Sequence, residues 1–202
     1  MKVWIISGDC NGRVCFDVED SLENARTLYN FHKKNYVDEW PGLRVSFVCG
    51  KKRKDTLALN NITEFTSFSF LFVCDDYAKQ KLSEKYECIQ FLQISPIEKE
   101  IAKESNFYLP NLLDFAYLLD EEKSAFEYGL HNTVSGIKKP YFVESVKDHP
   151  IFYLCVQNRN RAFLNIYVTD EFKDYVESCG ITGFRFKEVF DFDDPDKKYP
   201  LM

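Results

Sequence analysis

Glu188, Asp191, Asp193, Asp194 and Asp196 place five carboxylates within nine residues. Carboxylates at that density can hold a hard cation such as calcium, or present negative charge to a basic partner. A helix-loop-helix calcium loop starting at Asp191 needs Gly at its sixth position and Glu at its twelfth, where the sequence has Asp196 and Met202. The calcium reading fails, which leaves a solvated acidic tail or an acidic contact surface. Phe190 and Phe192, interleaved with the charges, add the aromatic anchors that protein interfaces use. Asp120-Glu121-Glu122 forms a second acidic cluster and marks a surface. The three histidines, His32, His131 and His149, lack the i, i+4 or H-E-x-x-H spacing of a metal site. Seven cysteines are scattered with no C-x-x-C pair, so neither a disulfide framework nor a zinc site is expected, and a reducing cytoplasm fits. No cysteine lies in a recognisable nucleophile context, and the G-x-S-x-G, G-x-x-x-x-G-K-[ST] and G-x-G-x-x-G motifs are missing. A catalytic, metal or cofactor role is therefore not expected.

The chain that must position these carboxylates has 202 residues, 45% apolar and 29% charged, with 16% aromatics. That is core material for a soluble globular fold. Apolar runs such as Phe70–Cys74 and Phe115–Leu119 fall far short of the roughly 20 residues of a membrane helix. Val3–Ile6 stops at Ser7-Gly8-Asp9, short of a signal-peptide core, so a cytoplasmic location is expected. Of the net charge of −6, residues 101–202 carry −5. Such a balance disfavours nucleic acid, whose binding rests on phosphate neutralisation, and favours a basic partner. The Lys51-Lys52-Arg53-Lys54 cluster reads as a solvated turn.

Lys2–Ser7 and Val14–Val18, with Asn11-Gly12 between them, predict a β-hairpin. Asp20 and Glu23 then open a helix whose apolar face carries Leu22, Ala25, Leu28, Tyr29 and His32. Further strands are expected at Leu43–Cys49, Phe107–Leu113, Tyr141–Val143, Ile151–Val156 and Ala162–Val168, the last two joined through Asn158-Arg159-Asn160. The most informative pattern is an internal similarity at an offset of 95 residues: Leu71–Tyr77 aligns without gaps on Ile166–Phe172, and Ile89 and Phe91 fall on Phe184 and Phe186. Both copies read strand, capped helix, strand, as duplication, chance or a shared packing solution would produce. Cys74 or Asp75 and Thr169 stand where helix N-caps belong, with Asp76, Asp170 and Glu171 at the positive helix ends. Gly180 fits a left-handed helix C-cap, and Gly183 a tight turn into the next strand. With no regular βαβ period and no Gly-rich first loop, the expected class is α+β, mostly antiparallel sheet with a few helices. No linker interrupts residues 1–202, so one continuous domain is expected, with a hairpin-and-helix subregion over 1–50.

The ordered set Phe70–Asp75, Ile89–Leu92, Leu118-Leu119-Asp120 with Ser124, Pro150-Ile151-Phe152, and Ile166–Phe172 ending in Gly180-Ile181-Thr182-Gly183-Phe184-Arg185-Phe186 resembles the bacterial immunity proteins of polymorphic toxin systems. More narrowly it is similar to immunity protein family eleven, earlier catalogued as a domain of unknown function, and the resemblance implies a family-like core over residues 55–192. Members often show Ser at the start of the first helix, where this chain has Cys74. Within the resemblance, Thr169, Gly180, Gly183, Phe184 and Phe186 are structural. The resemblance implies a non-enzymatic protein that binds and occludes a cognate toxin domain, using no cofactor. Asp120, Glu121, Glu122, Glu188, Asp191, Asp193, Asp194 and Asp196 are the candidate contacts for a basic toxin, while monomer or homodimer stays open. The alternatives are an interaction or regulatory module unrelated to toxins, or an unrecognised hydrolase.

Overall fold

The structure is a computed structural model that describes residues 1–9, 14–19, 35–36, 39–49, 60–65, 71–97, 106–157 and 163–199. Its elements are β1 (Lys2–Gly8), β2 (Val14–Val18), β3 (Arg44–Cys49), β4 (Ile62–Glu64), β5 (Phe72–Asp75), α1 (Asp76–Lys85), β6 (Ile89–Pro96), β7 (Phe107–Leu112), β8 (Phe115–Ala116), β9 (Ala125–Tyr128), β10 (Val134–Lys139), β11 (Ile151–Leu154), β12 (Ile166–Thr169), α2 (Asp170–Ser178) and β13 (Phe184–Asp191). The fold is α+β. Its strands form sheets in the orders β13-β1-β12-β11-β8, β10-β9 and β2-β3-β6-β7-β5-β4. The β8–β11 and β3–β6 ladders are parallel. The β1–β12, β11–β12, β9–β10, β2–β3, β4–β5, β5–β7 and β6–β7 ladders are antiparallel.

The chain divides into two compact units, one of Met1–Ile6, Asp114–Tyr175 and Phe186–Met202, the other of Ser7–Leu113 and Val176–Arg185. In the first, Phe142, Phe152, Tyr167 and Phe190 are buried with Val3, Leu118, Leu154 and Val189. Phe152 stacks on Tyr167 at 5.8 Å, and Phe142 meets Phe152, Tyr167 and Phe190 at 5.6–6.3 Å. In the second, Phe16, Phe65 and Phe107 are buried with Leu43, Val45, Leu71, Val73 and Leu109. Much of the aromatic content is thus spent on strand cores, where flat rings and β-branched chains fill a pleated surface well.

The expected β1–β2 hairpin is not formed. β1 lies between β13 and β12, pairing Val3 with Thr169, and β2 pairs instead with β3, Phe16 opposite Phe47. The reason is visible in β1 itself: Val3 and Ile6 are buried and Trp4 and Ile5 half-buried, so both faces are apolar, which suits an interior strand more than a hairpin arm. The Asn11-Gly12 turn, the helix expected from Asp20 with His32, the Lys51–Lys54 cluster and the turn at Asn158–Asn160 lie outside the described residues. Tyr141–Val143 is reduced to one bridge, Phe142 to Leu119.

Both strand-helix-strand copies are present, as β5-α1-β6 and β12-α2-β13. In each, a further strand is inserted between the two: β7 between β5 and β6, and β1 between β12 and β13. β7 is antiparallel to both its neighbours. β1 is antiparallel to β12, and hydrogen bonds from Phe192 N to Met1 O and from Asp9 N to Gly183 O set β13 antiparallel to it as well. The helices also hold these inserted strands by the same device, an Asp-x-x-Lys in the first turn. Asp76 accepts from Asn106 N at 3.1 Å and Tyr108 OH at 3.0 Å, while Lys79 Nζ lies 3.9 Å over the Tyr108 ring. Asp170 accepts from Lys2 N at 2.7 Å and Trp4 Nε1 at 2.8 Å, while Lys173 Nζ lies 5.5 Å from the Trp4 ring. The Asn106 amide, together with the Tyr108 hydroxyl, holds the Asp76 carboxyl below its ordinary range.

The caps differ between the copies. Asp75, not Cys74, caps α1, accepting from Ala78 N at 2.8 Å. Thr169 does not cap α2 with its hydroxyl: Oγ1 is buried with no hydrogen-bond partner, because the residue is the last of β12 and its side chain is enclosed there. At the far end of α2 the expected C-cap is present. Gly180 has φ +67°, with Ile181 N bonded to Val176 O and Gly180 N to Glu177 O, the paired closure that satisfies a helix's last carbonyls.

Candidate partner-binding surface

The carboxylates that follow Phe186 sit on the end of β13 and the turn after it, and lysines from distant elements meet them. Glu188, with 17% of its side chain exposed, accepts from Lys2 Nζ at 2.8 Å, Lys197 Nζ at 2.5 Å and Tyr199 OH at 3.1 Å. Asp191 is buried, 3.7 Å from Lys2 Nζ, and its Oδ1 accepts from Asp193 N at 3.0 Å. Asp193 lies 3.0 Å from the Met1 nitrogen. Asp196 accepts from Lys139 Nζ at 3.1 Å and from Tyr141 OH at 2.5 Å. Asp194 is exposed. The segment is a folded, internally neutralised edge, and not a loose tail.

Burial alone would push the Glu188 carboxyl up. The hydrogen bonds from Lys197, Lys2 and Tyr199 outweigh it and bring the group down to about 2, from an ordinary 4.5. A carboxyl depressed by folding stabilises the folded state above its unfolded pKa, and that contribution is lost as pH falls through the folded value. Urea unfolding should therefore show stability declining between pH 4.5 and about 2, and Glu188→Gln should flatten that decline. An unchanged slope in the variant would mean that other carboxyls govern the acid limb.

The Asp120–Glu122 cluster is tethered separately. Asp120 accepts from Lys123 N and Nζ at 3.2 and 2.7 Å, Glu121 Oε1 accepts from Gln157 N at 2.9 Å, and Glu122 is exposed. Tyr141 links the two acidic segments: its carbonyl accepts from Asp120 N at 2.8 Å and its hydroxyl donates to Asp196. Sequence reasoning passed over Tyr141, Lys2 and Lys139. A cleft of about 300 Å³ opens beside this edge, lined by Lys138, Lys139, Asp196, Lys197, Lys198 and Tyr199 among others. Four lysines and a single carboxylate, Asp196, line it, so the cleft itself is rich in amines beside the acidic edge.

The structural set is placed as follows. Gly183, φ +101°, opens β13, where a Cβ would stand 1.9 Å from Ile62 O. Phe184 packs edge-on against Phe72 at 5.2 Å, and Phe186 lies under Lys173 Nζ at 5.7 Å.

Of groups able to do chemistry, Asp114 Oδ2 lies 2.8 Å from His149 Nδ1. Cys155 is the thiol nearest in sequence, and burial, followed by the Asp114 charge, pushes it up. That is the opposite of the lowered pKa that makes a thiolate nucleophile. The pair's visible work is structural: next to it Tyr153 N bonds Asp114 O and Cys155 N bonds Ala116 O, seating β8 on β11. Among the described residues, no three His, Cys, Asp or Glu side chains are grouped so as to hold a metal ion, and no helix is long and apolar enough to cross a membrane.

No family model matches the chain, and no curated protein matches it significantly in sequence. Its surface chemistry therefore has to speak for its function.

Alongside the acidic clusters, the first unit exposes large apolar side chains: Phe115 at 41%, Tyr117 at 66%, Tyr128 at 57%, Leu130 at 85% and Leu164 at 43%. Exposed aromatics and leucines beside fixed charges are the ingredients of a protein-binding surface, since the apolar groups gain by leaving water and the charges orient the partner.

Proposed function

We propose that this protein is an immunity-type inhibitor that binds a cognate bacterial toxin domain and neutralises it by covering it, without catalysis, in the cytoplasm. The observation that carries this reading is the presence, within one unit, of exposed Tyr117, Tyr128 and Leu130 together with exposed carboxylates such as Glu122 and Asp194. The resemblance of Ile166–Phe172 and Gly180–Phe186 to the immunity family points the same way. Acidic groups favour a toxin with basic groups at the contact and speed its capture, because complementary charge steers diffusional encounter.

The test is co-expression with the C-terminal domain encoded by the adjacent reading frame. That domain alone should arrest growth, and this protein should restore growth and co-purify with the domain as a stable complex. A toxic domain that is neither bound nor neutralised would remove the reading for that pair. Asp194→Asn and Glu122→Gln, both at exposed positions, should slow association at low salt and have little effect at high salt.

A further inference from the structure

Residues 101–202 carry −5 of the net charge of −6 and hold nine lysines. Four of the nine, Lys138, Lys139, Lys197 and Lys198, line the cleft of about 300 Å³ beside the acidic edge, against one lining carboxylate, Asp196. Two Lys-Lys pairs distant in sequence thus converge on one concave space, in the half of the chain where amines are outnumbered. Like charges repel, so amines gathered this way need carboxylates between them or an anion brought in from outside.

Carboxylates answer only half of the charge. Lys139 Nζ donates to Asp196 Oδ1 at 3.1 Å and to the Tyr141 hydroxyl at 2.7 Å, and Lys197 Nζ donates to Glu188 at 2.5 Å. Glu188 is itself shared with Lys2, whose Nζ lies 2.8 Å away. Lys138 and Lys198 are exposed, and among the described residues neither has a carboxylate partner. An ammonium carries three N–H donors and no acceptor. Lys138 and Lys198 therefore bring all of their donors and two uncompensated charges to the cleft.

The walls are fixed by bonds that do not use those two amines. The Tyr141 hydroxyl donates to Asp196 and the Tyr199 hydroxyl to Glu188 at 3.1 Å, tying the segment after β13 to Tyr141 and back to β13 itself. Lys197 N bonds Asp194 O at 3.1 Å, which shapes the turn between. Buried Pro140 and Val189 and half-buried Tyr199 supply an apolar lining. A preformed hollow of this size, apolar with a few convergent polar groups, suits a small molecule. A long polyanion leaving the cleft would meet Asp193 and Asp194, both exposed on the same segment.

We propose that this cleft binds a small organic phosphate, its phosphate held between the Lys138 and Lys198 amines and its organic body against Pro140, Val189 and the Tyr199 ring. A phosphate concentrates up to two charges and three acceptor oxygens on one group, which matches two unpaired amines better than a single carboxylate does. The site is independent of the immunity reading and lies outside the contacts named for it.

The test titrates ADP into the full chain by calorimetry, with pyrophosphate and a short single-stranded DNA as comparisons. ADP should bind saturably, with an affinity that falls as salt rises. Lys138→Gln and Lys198→Gln should each weaken it about 10-fold, since each removes one charge-assisted contact. Lys147→Gln, at an exposed lysine outside the cleft, should leave it unchanged, and the thermal midpoint serves as the folding control for all three. Pyrophosphate should bind about 10-fold more weakly than ADP, because it has no body to cover the apolar lining. Four results overturn the proposal: no saturable binding of ADP; affinities within about 3-fold of wild type in both Lys138→Gln and Lys198→Gln; an equal loss in Lys147→Gln, which would assign the effect to net charge; and pyrophosphate or DNA binding as tightly as ADP, which would assign the cleft to a bare anion or to a nucleic acid.

Discussion

Replacing Gly183 by alanine is expected to destabilise the protein by about 3–4 kcal/mol, lowering its thermal midpoint by about 10 °C. Two effects add. With φ +101° the backbone sits where a side chain costs about 1–2 kcal/mol. The new Cβ would also stand 1.9 Å from Ile62 O and 2.6 Å from Asn60 Cβ, so backbone must move. What would move is hydrogen-bonded: Ile62 N to Thr182 O at 2.9 Å and Asp9 N to Gly183 O at 2.6 Å. Gly180→Ala is the matched control, because Gly180 is also left-handed but nothing lies within 4 Å of its Cβ position. Its cost should be about 1 kcal/mol, from conformation alone. Equal losses in the two variants would show that the close approach at Gly183 carries no weight.

Phe152→Ala should cost about 3–5 kcal/mol, the range for emptying a fully buried aromatic site. Phe152 is 0% exposed and meets Tyr167, Phe142 and His149, so the space it leaves is walled by rings held in other contacts and cannot close. Amide exchange should accelerate most in β11 and β12. The acidic edge belongs to the same unit, so the proposed toxin protection should fall with stability. A variant that keeps wild-type exchange in β11 would mean that the site collapses without penalty.

These expectations divide by how far apart the interacting residues are in sequence. Gly180 was legible because it answers a local demand, a helix end, and the two strand-helix-strand copies because periodicity and capping are local too; Gly183 was legible as a turn, but the close approach of Ile62 O that also requires glycine there is not local. The partner of a strand is not local. Asn11-Gly12 signalled a hairpin, but β1 found Thr169 and Val168 more than 160 residues away, where both its apolar faces could be covered. Thr169 carried the right residue type for a cap, yet its hydroxyl is enclosed at the end of β12 without a hydrogen-bond partner. The acidic residues were legible as charge, but Lys2, Lys139 and Tyr141, which decide how much of that charge reaches solvent, come from other elements. The amine-lined cleft went unread because Lys138-Lys139 and Lys197-Lys198 become neighbours only in the fold.

The inserted strands have a consequence for the order of events during synthesis. β7 follows β6 directly, so the first strand-helix-strand copy can close as soon as residue 112 has left the ribosome. The second copy is closed by β1, made first and left waiting for β12 and β13. Pairings so distant in sequence form slowly. The unit that carries the acidic edge thus matures only after its last strand is released, and in the proposed immunity role protein already folded before toxin arrives, more than new synthesis, would set the cell's protection.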